Sequence, residues 1–283
     1  MNPKLLALYG LKWNPFSPDL PTEALLLVPK VEHFFWRVEN LTREGGFALI
    51  TGESGLGKSV TLRLLLQRLS QQRDISVGVL TRPQTGVPDF YRELGHLFGV
   101  ELSPHNRWAG SRVLRDRWLA HIEASLLRPV LLIDEAQEMK PAVLNELRLL
   151  CAAELDARAL LTVVLAGDAR LPEKFRAEEL LPLGSRIRVR LQLQPASVPE
   201  LLDCLKHSLS QAGNPRLMTA ELINTLCEHA AGNHRILMIM ANELLDAAAK
   251  RELPKLDEKL YLEAFAVPAP AERPRNRATT ARR

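Results

Sequence analysis

The chain has 283 residues, of which 46% are hydrophobic and 25% are charged, a composition ordinary for a globular protein with one large and one small domain. Its net charge of +4 is carried by residues 268–283, whose five arginines and one glutamate leave the rest of the chain neutral. Three cysteines without a CxxC pair and seven scattered histidines exclude a zinc signature.

No targeting or membrane segment is predicted. The N-terminal stretch "KLLALYGLKW" is too short and too interrupted for a signal peptide. The longest apolar run, residues 159–167, predicts a buried strand rather than a membrane span. Because the cysteine content also fits a reducing compartment, we expect a cytoplasmic protein.

Apolar runs alternate with helical periodicity over most of the chain. Strands are predicted at residues 47–51, 75–80, 129–134, 159–167 and 186–193. Helices are predicted between them at residues 58–72, 87–98, 110–127 and 141–155. This alternation predicts an α/β fold with a parallel sheet flanked by helices.

The pattern changes to helices alone after Pro195. Ser197 and Glu200 form a capping-box pair, and three further apolar helical stretches follow it. We therefore expect an α/β core at residues 1–195, a small helical lid domain at residues 196–267, and a disordered basic tail at residues 268–283.

The motif G-x-x-x-x-G-K-[ST] follows the first predicted strand and precedes a helix. Its residues, together with the next one, are Gly52, Glu53, Ser54, Gly55, Leu56, Gly57, Lys58, Ser59 and Val60. In this context the motif predicts a phosphate-binding P-loop, whose backbone N–H groups face phosphate oxygens. Lys58 is expected to reach the β- and γ-phosphates, and the Ser59 hydroxyl to bind Mg²⁺.

A second motif indicates hydrolysis. The apolar strand "VLLID" ends in the adjacent acids Asp134 and Glu135. Asp134 is placed to bind the Mg²⁺ shell, and Glu135 to polarise a water that attacks the γ-phosphate. The alternative is that these acids cap the next helix, which the preceding P-loop disfavours.

Four further charged positions are candidates for the same site. Asp168 follows the fourth strand and could hold the attacking water, or it could belong to an ordinary Gly-Asp turn. Arg186, before the fifth strand, could act as an arginine finger on a neighbouring subunit. Arg188 is a second candidate for the finger, although a solvated strand face explains it better. Arg235, in "GNHR" at the start of a lid helix, could close over the phosphates.

These motifs together resemble those of AAA+ ATPases. In detail the chain is similar to the ExeA-like (general secretion pathway protein A) family and to the short transposition-helper ATPases related to it. The similarity rests on "YGLKWNPFSPD", "GFALITGESGLGKS", "VLLIDEAQEM", "VVLAGDARL", "SRIRVRLQLQP" and "AAGNHRILMIMANELL". The resemblance implies a P-loop AAA+ sheet followed by a helical lid, and it places Pro15 and Phe16 beside the adenine.

The resemblance also implies a role for each charged candidate. Lys58 would serve Walker A, Asp134 and Glu135 Walker B, Asp168 sensor 1, Arg186 the finger, and Arg235 sensor 2. Asp168 departs from the family, which often has an uncharged polar residue there. The implied ligands are ATP and Mg²⁺, and the implied reaction is ATP hydrolysis by an oligomer.

The resemblance leaves two cellular roles open, with a nucleotide-timed signalling switch as a third possibility. Secretion members continue into a membrane helix and a cell-wall-binding module, which this sequence does not contain. On that ground we expect a helper that forms a ring or filament on double-stranded DNA and recruits or activates a DDE transposase. The alternative is an ATPase that energises assembly of a cell-envelope secretion machine.

Direct DNA contact is suggested by arginines interleaved with tryptophans in one predicted helix. They are Arg107, Trp108, Arg112, Arg115, Arg117 and Trp118. Phosphate contact is possible there, and an amphipathic helix with a basic face and a core tryptophan explains the pattern equally well.

Overall fold

The computed structural model describes residues 3–100, 107–153 and 158–265. The helices are α1 Pro3–Tyr9, α2 Pro29–Glu44, α3 Lys58–Ser70, α4 Val87–Phe98, α5 Arg107–Ser125, α6 Pro141–Cys151, α7 Arg170–Lys174, α8 Leu181–Gly184, α9 Val198–Gln211, α10 Ala220–His229, α11 His234–Lys250 and α12 Glu258–Ala264. The sheet strands are β1 Gly46–Thr51, β2 Ile75–Leu80, β3 Arg128–Ile133, β4 Thr162–Gly167 and β5 Ile187–Gln192.

The five strands form one sheet in the order β2-β3-β4-β1-β5. Every neighbouring pair is parallel, which confirms the predicted parallel α/β sheet. β1 and β4 lie side by side with Gly46 opposite Thr162, and β3 lies on the other side of β4. Because all strands run the same way, the carboxyl ends of β1, β3 and β4 meet at one edge of the sheet.

Both faces of this sheet are covered, so the inner residues of its central strands are apolar. On one face Phe47 and Leu131 pack with residues of α4, α5 and α6. On the other face Ile50 and Leu132 pack with residues of α2 and α3. Burial on both sides explains why β4 is a continuous apolar run, whereas the edge strand β5 alternates buried and exposed residues.

Helices α9 to α12 form the predicted lid, with a separate apolar core. The capping box at the start of α9 is confirmed, because the Ser197 side chain accepts from the Glu200 N–H and the Glu200 carboxylate accepts from the Ser197 N–H. Leu205, Leu226 and Leu244 are fully buried in this second core.

The N-terminal segment packs with the lid, although the sequence grouped it with residues 1–195. Leu5 and Phe16 belong to the lid core, and the Lys12 N–H donates to the Ala212 carbonyl at 2.8 Å. The Asn14 side chain donates to Asn242 on α11 at 2.7 Å. Chain order alone could not predict this contact, because it joins residues more than 200 positions apart.

Element boundaries differ from the prediction mainly after α6. This helix was expected to reach residue 155, and it ends at Cys151, where Ala152–Ala153 pair antiparallel with Arg158–Ala159. The expected tail at residues 268–283 lies outside the described residues. Within the described part of the chain, no helix combines the length and apolar character needed to cross a membrane.

Candidate nucleotide site

The sheet topology brings the predicted P-loop and the acidic motifs to one edge. The P-loop follows β1, Asp134 follows β3, and Asp168 follows β4. β4 lies between the other two strands, and the Gly52 N–H donates to the Gly167 carbonyl at 3.3 Å. This hydrogen bond ties the start of the P-loop to the end of β4.

The P-loop leads into α3 through a left-handed glycine. Gly57 has φ of 98° at the N-cap of α3, and a side chain added there would point into open space. Lys58 is only 6% exposed, and its Nζ donates to the carbonyls of Gly52 at 2.9 Å and Glu53 at 3.0 Å. The lysine therefore lies inside the loop, beside the open region at the helix N-terminus.

The start of α11 contacts the same loop from the lid side. The Asn233 side chain donates to the Ser54 carbonyl at 2.9 Å, while its oxygen caps α11 by accepting from two backbone N–H groups. The Arg235 N–H donates to the Gly55 carbonyl at 3.2 Å, and its guanidinium donates to Ser54 Oγ at 2.7 Å. A Cβ on Gly55 would approach Asn233 Oδ1 to 2.2 Å, so only glycine fits beneath the lid.

Burial also affects the charge at this helix start. His234 is the first residue of α11, and burial lowers its pKa from the ordinary 6.5, an effect that Glu200 partly opposes. His234 therefore adds no positive charge to the N-terminus of α11 at neutral pH.

The acidic end of β3 has an unusual backbone. Glu135 adopts φ of 50°, in the left-handed region, and its N–H donates to Asp134 Oδ1 at 2.9 Å. The Glu135 side chain is exposed, and its Oε2 accepts a hydrogen bond from the Gln137 amide. At the carboxyl edge of the sheet, Asp134 thus accepts from the backbone and Glu135 from the side chain of Gln137.

Asp168 is paired within its own segment. Both its carboxylate oxygens accept from Arg170, one from the backbone N–H and one from the guanidinium, each at 2.9 Å. These hydrogen bonds, with Lys58 nearby as a weaker cause, hold the pKa of Asp168 below its ordinary value. Asp168 is thus a charged acceptor whose oxygens are already engaged, and its predicted role towards water stays a prediction.

The arginines around β5 differ in their contacts. Arg186 lies between α8 and β5, and its guanidinium donates to the Pro182 carbonyl at 2.5 Å. Arg188 forms a 2.8 Å ion pair with Glu44 of its own chain, and Arg190 donates to the Gly184 carbonyl at 3.2 Å. None of these contacts involves a P-loop residue.

The segment expected beside the adenine lies under the lid. Phe16 is 3% exposed and packs in the lid core, and its N–H donates to the Asn14 side chain. Pro15 is buried beside it, and Val60 is half-buried on the first turn of α3. Contact of Pro15, Phe16 and Val60 with a nucleotide stays a prediction.

The residues present fit Mg²⁺ and a triphosphate. An exposed serine hydroxyl, that of Ser59, and the carboxylate of Asp134 provide the oxygen ligands that Mg²⁺ prefers. The Lys58 ammonium, bound to two neutral carbonyls, is available to exchange them for phosphate oxygens. Within the described residues no cluster of three or more His, Cys, Asp or Glu side chains offers another metal site.

The predicted DNA-contact helix is partly structural. Trp118 is 1% exposed and packs edge-on against Phe98 at 5.3 Å, so it belongs to the core. Arg112 and Asp116 lie 3.7 Å apart on the exposed face. The side chains of Arg107 and Trp108 lie outside the described residues. The described part thus has the amphipathic arrangement that was one of the two interpretations.

Two polar residues of the site were not singled out from the sequence. Gln137 is 5% exposed and contacts both acidic segments, and Asn233 joins the lid to the P-loop. Asn233 has a weak signal, since asparagine is one of the residues preferred at an N-cap. Gln137 has none, because one of its two partners, the Asp168 N–H, belongs to the end of the neighbouring strand β4.

Comparison with known proteins agrees with this geometry. Residues 41–175 match the family described as "AAA domain", which includes the P-loop and both acidic segments. General secretion pathway protein A of Aeromonas hydrophila is 33% identical over 256 residues, which cover 88% of this chain and 45% of that protein. The chain therefore spans less than half the length of this relative.

Solved structures share the fold at low identity. Cdc6p from Pyrobaculum aerophilum has a TM-score of 0.69 at 14% identity, covering 88% of this chain and 69% of that one. Drosophila ORC bound to DNA has a TM-score of 0.64 at 17% identity, covering 93% of this chain and 65% of that one. Domain III of the Thermotoga maritima replication initiation protein DnaA has a TM-score of 0.57 at 16% identity, covering 88% of this chain and 96% of that one. The chain thus has the P-loop AAA+ fold, matches an AAA domain over residues 41–175, and is similar to general secretion pathway protein A.

Proposed function

We propose that this chain is an ATPase that hydrolyses ATP at sites completed between subunits of a homo-oligomer. The observation that carries the proposal is the convergence of the P-loop, Asp134 and Glu135 at the carboxyl edge of one parallel sheet. A site that only bound the nucleotide would need the P-loop, and it would not need a general base such as Glu135. The match of residues 41–175 to an AAA domain supports the same conclusion.

Each residue has a distinct part in this reaction. Lys58 and the N–H groups of the P-loop bind the β- and γ-phosphates, and Ser59 and Asp134 would hold Mg²⁺, which neutralises phosphate charge when bound. Glu135 accepts a proton from water as the water oxygen bonds to the γ-phosphorus. The bond from that phosphorus to the ADP oxygen breaks, giving ADP and phosphate. Arg235 binds at the phosphates from the lid, and Asp168 orients the water.

Arg186 supplies the remaining cation to the site of the next subunit. Its guanidinium donates to the Pro182 carbonyl, beside the edge strand β5. Arg188, the alternative finger, already forms an ion pair with Glu44. At this edge of the sheet, Arg186 is placed to stabilise the transferring phosphoryl group in the site of a neighbouring subunit.

For the cellular role, we propose energising the assembly of a cell-envelope secretion machine. The support is 33% identity to general secretion pathway protein A over 88% of this chain. The transposase helper stays a prediction, and burial of Trp118 removes one of the side chains that suggested DNA contact. ATP turnover with and without double-stranded DNA separates the two roles, since stimulation by DNA would favour the helper.

Lys58→Ala tests the nucleotide site. We expect the mutant to bind ATP at least about 30-fold more weakly, because losing a charged hydrogen-bond donor costs about 2 kcal/mol. Titration calorimetry with Mg²⁺ and ATP measures the affinity. Lys206→Ala, at an exposed position on α9, is the control and should bind as wild type does. Equal affinity in Lys58→Ala and wild type would refute the assignment.

A further inference from the structure

Gln137 occupies a buried position between the two acidic segments of the site. It lies on the short turn that follows Glu135, and only 5% of its surface is exposed. A buried amide is stable only where its donors and acceptor find partners. The partners of Gln137 therefore indicate what the residue does.

The two ends of the Gln137 amide reach different strands. Its Nε2 donates to Glu135 Oε2, at the end of β3. Its Oε1 accepts from the Asp168 N–H, at the end of β4, at 3.3 Å. The side chain thus bridges the proposed general base to the segment of Asp168, which was predicted to hold the attacking water.

The surroundings hold this bridge in place. Lys174 Nζ donates to the backbone carbonyls of Gln137 at 2.6 Å and of Met139 at 2.7 Å, which fixes the turn from outside. At Gly167, an added Cβ would come within 2.6 Å of Gln137 Oε1. Glycine at the end of β4 is therefore what leaves room for the amide.

The hydrogen bond to Glu135 acts on an otherwise exposed carboxylate. Glu135 is solvent-exposed and stands on a left-handed backbone, so its side chain has little packing to restrict it. A donor on Oε2 fixes the orientation of the carboxylate and leaves Oε1 for a proton. General bases work only when held near the productive geometry, and a displacement of about 1 Å can cost about 100-fold in rate.

We propose that Gln137 is a positioning residue for ATP hydrolysis, which orients Glu135 through its amide N–H and links that carboxylate to β4 through its amide oxygen. This rests on the proposed ATPase function. Its two hydrogen bonds have separate consequences: the donor affects turnover, and the acceptor protects the Asp168 amide.

Two substitutions separate these consequences. Gln137→Leu removes both hydrogen bonds while retaining a buried side chain of similar length. Gln137→Glu keeps an oxygen for the Asp168 N–H, and it replaces the donor with a charge that repels Glu135. The matched control is Gln72→Leu, because Gln72 also donates its amide to a carboxylate, that of Glu39 at 2.8 Å, at the far end of α3.

Steady-state ATP turnover is measured for all four proteins, together with ATP affinity and hydrogen exchange of the Asp168 amide by NMR. In both Gln137 variants we expect kcat to fall about 10- to 100-fold, with KM and ATP affinity within about threefold of wild type. Exchange at Asp168 should accelerate in Gln137→Leu and stay close to wild type in Gln137→Glu. Gln72→Leu should leave kcat and exchange unchanged.

The failures are distinguishable. An inactive wild type that binds ATP would refute the ATPase proposal itself. An active wild type whose Gln137 variants keep kcat, or turn over faster, would refute the positioning role. A loss of turnover accompanied by an equal loss of ATP affinity in both variants would show a general structural role instead. Unchanged Asp168 exchange in Gln137→Leu would remove the link to β4.

Discussion

In the proposed reaction Glu135 is the general base, and its carboxylate accepts a hydrogen bond from the Gln137 amide. The P-loop residues and the Asp134–Glu135 pair follow from local patterns, because each motif lies directly after one strand. The contacts of Gln137 and Asn233 do not, because each joins its residue to a segment far along the chain. Asp168 illustrates the limit: its position was predictable, and its pairing with Arg170 emerged only in the structure.

At the residue scale, Glu135→Gln should separate binding from hydrolysis. The substitution keeps the shape of the side chain and removes the general base, so turnover should fall by at least about 100-fold while ATP affinity is retained. Phosphate release and titration calorimetry measure the two quantities. Glu173→Gln is the control, since Glu173 lies on α7 and forms an exposed ion pair with Arg176. Turnover equal to wild type would place the base elsewhere.

At the scale of elements, hydrophobic periodicity predicted all five sheet strands to within a few residues. Because helices separate the strands along the chain, the strands were also predicted to be parallel. The order of the strands in the sheet could be expected only from the family resemblance. The end of α6 was predicted too late in the chain, and the reason is local: Ala152–Ala153 leave the helix to pair with Arg158–Ala159. Helical propensity contains no information about such a pairing partner.

The contact between α11 and the P-loop leads to a prediction at this scale. Asn233→Ser keeps an oxygen that can cap α11 and is too short to reach the Ser54 carbonyl. We expect ATP affinity to fall about fivefold, the equivalent of one hydrogen bond of about 1 kcal/mol. Fluorescence titration with a labelled ATP analogue measures it.

Thr219→Ala is the matched control for this substitution. Thr219 caps α10, a lid helix, so its loss should lower the unfolding midpoint without changing ATP affinity. If Asn233→Ser bound ATP as tightly as wild type, the lid contact would have no part in holding the nucleotide loop.

At the scale of the whole molecule, the α/β core and the helical lid were both expected, and the place of the N-terminal segment was not. Leu5 and Phe16 are apolar in any arrangement, and the cluster that buries them forms only once α9 to α11 are assembled. The assembly of several chains is likewise beyond the sequence patterns. Its support is the position of Arg186 together with the AAA domain match.

The central claim, that one subunit completes the ATPase site of the next, is tested by mixing two inactive variants. Arg186→Ala retains Glu135 and should bind ATP, with turnover reduced about 1000-fold or more. Glu135→Gln retains Arg186 and is inactive for a different reason. In an equal mixture the two intact residues meet at about one interface in four, so turnover should return to at most about a quarter of wild type.

Arg188→Ala serves as the control and should remain active. The decisive measurement is therefore the ATP turnover of the mixture against the two variants alone, at a concentration where wild-type turnover per subunit no longer rises. The account predicts turnover well above the sum of the separate variants. A mixture no more active than that sum, from variants that are folded and bind ATP, would contradict it.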